Sequence, residues 1–149
     1  MTSGDLDRLA EEFQSQAIPR ERWTHAAHLS VGAWHVDRFG ADEAIARLRT
    51  GIRALNDRHG TANTTTSGYH ETITVAYARL IEEFLAAFAP GLLLAARVDH
   101  LLASPLSQPS FLLRFWSRPS LMSEAARAAW VPPDLAPLGL PPGVIPSTE

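Results

Sequence analysis

Apolar residues recur at helical spacing through most of the chain, and little in it alternates with the period of a strand. Between residues 5 and 17, Leu6, Leu9, Ala10, Phe13 and Ala17 share one face, and Pro19 ends the element. Thr24 is the expected N-cap of a second helix that runs to Phe39 and stops at Gly40. Asp42 is placed to cap a third, in which Ile45, Leu48, Ile52 and Leu55 hold an apolar stripe as far as Gly60. Residues 61 to 67 form a polar loop. Ser67 is then expected to cap a fourth helix ending near Ala89, and a fifth covers about 92 to 104. Pro105 and Pro109 bracket a loop, after which 110–117 and 119–130 suggest two short helices.

The predicted fold is all-α: four main helices in a bundle, short C-terminal helices, and an extended proline-rich tail. The whole chain, 1–149, is expected to form a single domain with a core over about 5–130 and a tail over 131–149. Val131, Leu135, Leu138, Leu140 and Val144 suggest that this tail packs on the surface of the bundle. Antiparallel packing of the second and fourth helices is the expected arrangement.

Composition narrows the function classes. The net charge is −3 and basic runs are lacking, which argues against a nucleic-acid partner. The chain has no cysteine, so disulfides, thiolate metal sites and a cysteine nucleophile are excluded. Met1 to Arg20 is acidic and lacks an apolar segment, unlike a signal peptide. No apolar run reaches the roughly 18 residues of a membrane span, because Pro90 and Gly91 break the stretch from Phe84 to Val98. These features lead to an expected cytoplasmic location.

Two histidine clusters carry the chemistry. Trp23-Thr24-His25-Ala26-Ala27-His28-Leu29 sets two imidazoles three residues apart, hence on one helix face. Along the same stripe lie Gly32, where another group can approach closely, and His35. Gly68-Tyr69-His70-Glu71-Thr72 sets a carboxylate beside an imidazole at the start of an apolar helix. Imidazole is the commonest protein ligand for transition metals. If the two helices pack together, His25, His28, His70 and Glu71 form a candidate metal set, with Glu71 as ligand or general base and Tyr69 or Tyr77 as a donor to a developing oxyanion. Ligands without sulfur suit zinc, iron, manganese, nickel or copper. Thr74 replaces the second histidine of an HExxH motif, so this is not a zincin signature, and no P-loop, Gly-x-Ser-x-Gly or Gly-x-Gly-x-x-Gly is present.

The expected function is therefore a small metal-dependent enzyme, hydrolase or oxidoreductase, acting on a small-molecule substrate. Its first rival is a metal-free acid–base enzyme pairing His28 or His70 with Glu71. The second is a non-catalytic helical module that binds a small ligand, or a structural protein forming a homodimer through exposed aromatics. His59 before Gly60 and the Asp99-His100 pair read as structural. The hydroxyls of Asn63-Thr64-Thr65-Thr66-Ser67 read as a solvated loop, or as a cover over a pocket.

The two clusters, with Phe115-Trp116-Ser117-Arg118, Ser123-Glu124-Ala125-Ala126-Arg127 and Pro133-Asp134-Leu135, resemble those of a group of small uncharacterised bacterial proteins of similar length. The resemblance spans about residues 12 to 138. It implies one folded unit and carries no activity with it. It also draws attention to Arg114, Arg118 and Arg127, a cationic group that reads first as solvated surface and otherwise as able to hold a carboxylate substrate or the C-terminal tail.

Overall fold

In a computed structural model, which describes residues 1–145, the chain is all-helical, without a strand among those residues. Five longer helices are α1 (Ser3–Gln14), α2 (His25–Phe39), α3 (Ala41–His59), α4 (Glu71–Ala86) and α5 (Leu94–Ala103). Two short ones follow, α6 (Arg118–Leu121) and α7 (Glu124–Ala128), with 3-10 turns at Arg20–Arg22, Pro105–Ser107 and Phe111–Arg114. Among the described residues, no helix is long and apolar enough to cross a membrane.

Local chemistry explains most boundaries. Thr2 and Asp5 form a reciprocal capping box on α1. Thr24 caps α2 as expected, its hydroxyl accepting from the Ala27 amide at 3.2 Å. Gly40, at φ 77°, both ends α2 and starts α3. Asp42 is not the cap; it lies in the first turn of α3 and binds Arg79 at 2.7 Å.

The largest boundary correction is at α4, where the cap is His70 rather than Ser67. Residues 61–69 fold back on themselves first. The Asn63 side chain accepts from the Tyr69 amide, and Gly68 turns at φ 79°, where a Cβ would stand 2.5 Å from the Ala62 carbonyl oxygen. Only then is the backbone free to enter a helix. Further on, the expected helix at 110–117 is a single 3-10 turn, and 119–130 holds parts of two helices because Ser117 and Ser123 each start a new one with a hydroxyl cap.

The arrangement also differs from four helices at the corners of a bundle. Helix α2 is central, and α1, α3, α4 and α5 all pack on it. This is why α2 buries nearly its whole circumference, including Ser30, Gly32 and His35. Helices α3 and α4 run antiparallel, since Arg49 meets Glu71 while Asp42 meets Arg79. By contrast α2 and α4 run in the same sense: His25 lies against Tyr77, and Gly32 against Ile81. The antiparallel expectation for that pair is thus corrected.

The tail packs along this core. Val144 is buried, Val131, Leu138 and Leu140 are partly so, and only Leu135 of the five expected residues is exposed. Trp116, fully buried, donates its indole N–H to the Val131 carbonyl at 3.2 Å. The part of the tail beyond residue 145 lies outside the described residues.

Candidate functional site

A cavity of about 230 Å³ opens between the first turns of α2, the middle of α3 and α4, and the segment around Pro109 and Leu121. Its walls are mostly aliphatic: Leu29, Leu48, Ile52, Ile73, Ile81 and Leu112 among others. Gly32 belongs to the lining, and a Cβ there would press within 3.3 Å of Ile81, so the small residue allows the close approach of α4 that shapes the wall. Among the described residues, the polar side chains facing this space are Trp23, His25, His28, Thr74 and Tyr77, with no carboxylate, lysine or arginine.

Those polar groups are unevenly satisfied. His25 donates its Nε2 proton to the Leu106 carbonyl at 3.1 Å, which leaves Nδ1 as an acceptor in the neutral ring. His28 stacks on Trp23 with ring centroids 3.8 Å apart and has no hydrogen-bond partner among the described residues. Burial, with His25 adding a smaller repulsion, pushes the pKa of His28 down from 6.5 to about 4. The ring is therefore neutral at physiological pH. Tyr77 sits edge-on to His25, 5.3 Å between centroids, and burial raises its hydroxyl to about 12. Its buried oxygen and the buried Trp23 indole nitrogen both lack a hydrogen-bond partner among the described residues. Each such orphan costs on the order of 1–3 kcal/mol, and both belong to residues that line the cavity.

The second histidine cluster lies elsewhere and is fully engaged. His70 is buried; its Nδ1 accepts from the Ile73 amide at 3.2 Å and its Nε2 donates to the Leu121 carbonyl at 2.7 Å. With both nitrogens occupied, the ring has no lone pair left for a metal. Helix rise explains the separation. His25 meets α4 at Tyr77, seven residues beyond His70, which is about 10 Å along a helix axis at roughly 1.5 Å per residue. Leu121 intervenes: its side chain faces the cavity while its carbonyl takes the His70 proton. His70 positions a wall of the site without lining it.

Glu71 is held in the same way. Arg49 grips it through two bonds, Nε to Oε1 at 2.9 Å and Nη2 to Oε2 at 2.6 Å, and the Tyr69 hydroxyl donates to Oε1 at 2.6 Å. The Arg49 bonds hold the Glu71 carboxyl below its usual range. Burial first, then the bond to Glu71, pushes the Tyr69 hydroxyl up to about 12. Neither Glu71 nor Tyr69 borders the cavity. The expected convergence of His25, His28, His70 and Glu71 is therefore corrected. His25 and His28 share the site, while His70 and Glu71 clasp the start of α4. Among the described residues there is no group of three or more His, Asp or Glu side chains placed to hold a metal ion.

The remaining histidines also have structural partners. His35 is buried among Phe13, Trp34 and Phe39 and donates from Nδ1 to the Val31 carbonyl at 2.8 Å. His59 donates to the Ile18 carbonyl, and His100 stacks on Phe88. The role of Trp23 was not legible from the sequence; the signal for it is an aromatic two positions before the first imidazole, where the 3-10 turn Arg20–Arg22 lets it fold back over His28. Comparison with protein-family models, curated proteins and solved structures finds no match to this chain.

Proposed function

We propose that this protein binds a small, uncharged, largely apolar molecule that carries one hydrogen-bonding group, in the cavity between α2, α3 and α4. The observation that carries this is the pairing of an aliphatic pocket with two orphaned donors, the Trp23 indole and the Tyr77 hydroxyl. A ligand carbonyl or ether oxygen satisfies donors of that kind, and the neutral His28 ring offers an acceptor beside them. A charged ligand would meet no counterion among the lining residues. The volume exceeds the roughly 150 Å³ of an engineered protein cavity that takes up benzene, so a substituted single ring fits.

Binding is favoured over proton-transfer catalysis by His28 itself. A general base works best with a pKa near the ambient pH, and at about 4 this imidazole is a weak one. Glu71 bonds to Arg49 and His70 to the Leu121 carbonyl, which supports binding over the metal-dependent reading.

A matched series tests the proposal: acetophenone, ethylbenzene and benzoate, titrated against the fluorescence of the native protein, to which Trp23 contributes. Acetophenone should saturate, ethylbenzene should bind more weakly for want of an acceptor, and benzoate should fail. Tyr77→Phe should weaken acetophenone about tenfold, the effect of roughly 1.4 kcal/mol for one lost hydrogen bond, whereas His28→Phe, which removes an acceptor that this donor-free probe cannot use, should change its affinity little. Failure of all three probes to saturate, or unchanged acetophenone affinity in Tyr77→Phe, overturns it.

A further inference from the structure

A separate cavity, of about 420 Å³, is walled by Arg53, Asn63, Thr64, Thr65, Tyr69 and Arg127. It is chemically the opposite of the first. The Arg53 guanidinium lies over the Tyr69 ring, 4.9 Å from its centroid. Arg127 reaches from α7 and donates through Nη1 to the Gly68 carbonyl at 2.9 Å, so its fork is held in place with Nε and Nη2 uncommitted among the described residues. Neither arginine has a carboxylate partner among the described residues. The carboxylate nearest in the network, Glu71, is already engaged by Arg49, and Asp57 accepts from Asn63.

The rest of the wall is built rather than loose. The Asn63 amide makes four bonds: its oxygen accepts from Asn56 and from the Tyr69 backbone, and its nitrogen donates to the Arg53 carbonyl and to Asp57. Thr64 accepts from the amides of Thr66 and Ser67, closing a tight turn. Thr65, in that turn, lines the same space as the two arginines, and its hydroxyl has no internal partner among the described residues. Two guanidinium groups on separate helices, neither with a carboxylate partner among the described residues, line this space together with a hydroxyl-bearing turn, and they match the charge and donor count of a doubly ionised phosphate group.

The geometry points to a second ligand site, in which Arg53 and Arg127 hold the phosphate of a small phosphorylated molecule against the Thr64–Thr65 turn. It is independent of the apolar cavity, since none of its residues lines that space. Arginine supplies the planar fork that phosphate oxygens accept from two at a time, and the turn donates a hydroxyl to a third.

The test is a titration of the full chain with inorganic phosphate at constant ionic strength, followed by the amide resonances of Thr64, Thr65 and Ser67 and the Nε–H signals of the arginines. Saturable shifts confined to these groups are expected, with acetate at least about tenfold weaker for its single charge. Arg53→Ala removes an exposed side chain and should weaken phosphate about tenfold or more. Arg127→Lys keeps the charge but loses the fork, and should weaken it measurably with the helical circular dichroism unchanged. Linear, non-saturating shifts, or an Arg53→Ala protein that binds phosphate like the parent, overturn the proposal. Acetate binding as tightly as phosphate overturns the phosphate assignment. Acetophenone titration of the same variants should be unaffected, which separates this site from the apolar one.

Discussion

Two stretches of this chain carry the same kinds of side chain, aromatic, histidine and threonine, at the start of a helix, and the fold uses them in opposite ways. At the head of α4, every polar group of Tyr69, His70 and Glu71 described above is spent on the protein itself: on Arg49, on the Ile73 amide, on the Leu121 carbonyl. At the head of α2, the Trp23 indole and the His28 ring have no hydrogen-bond partner among the described residues, and the Tyr77 hydroxyl, which lines the same space, has none there either. The difference teaches that residue type marks where chemistry is available, while hydrogen-bond satisfaction marks whether it is left over for a ligand. The satisfied cluster holds the fold. The unsatisfied one keeps its donors for something else.

Acid is expected to act most strongly on this contrast. The folded pKa of His28 is lowered to about 4, so the unfolded chain binds the extra proton first as pH falls below about 6.5. Its share of stability is complete above about 6.5 and is lost as the pH drops toward 4, a loss on the order of 3 kcal/mol. Burial lowers His35 and His70 as well, so both add in the same direction, and a proton on His70 Nδ1 also breaks its bond to the Ile73 amide. Urea unfolding across that window should show the slope. A flat profile contradicts burial of these rings.

His70→Ala should cost about 2 kcal/mol, combining a lost helix cap with an orphaned Leu121 carbonyl. Denaturant midpoints measure it, and a cost near zero would erase the distinction between the clusters. Glu71→Gln should follow at about 1 kcal/mol, since the carboxylate is partly exposed to solvent along with Arg49. Affinity in the apolar cavity should stay unchanged; loss of ligand there with stability intact would return Glu71 to the binding machinery. The smallest stability effect is expected for His28→Phe, within about 0.5 kcal/mol at neutral pH, because a partnerless ring is exchanged for an apolar one that keeps the stack on Trp23. The same variant should flatten much of the acid slope.

Legibility followed the range of the interaction. The cap at Thr24, the stop at Gly60 and the stripe of α3 depend on neighbours a few residues away, so they can be read from the chain. The start of α4 is harder. Ser67 has the right chemistry for a cap, but Asn63, tied to α3 through Asn56 and the Arg53 carbonyl, draws the chain back and moves the boundary to His70. The C-terminal segment from Ser110 has apolar residues at helical spacing, yet Ser117 and Ser123 divide it. Half of the candidate site was visible, His25 and His28 on one face with Gly32 and Tyr77 nearby. The adjacency of His70 and Glu71 at a helix start suggests a shared site only if the second and fourth helices bring the clusters together, and the Arg49 side chain that claims Glu71 is 22 residues away.

The sequence by itself determined that the protein is helical, where most helices start and stop, and that two imidazoles share a face at the head of α2, because periodicity and capping are local properties of the backbone. Tertiary structure decided which polar groups remain unpaired. Parallel packing of α2 and α4 offsets His25 from His70 by about two helical turns, and the return of the chain through Leu121 gives His70 its acceptor and closes the cavity. Hydrogen-bond partners across such distances are chosen by packing, which no spacing of residues along the chain records.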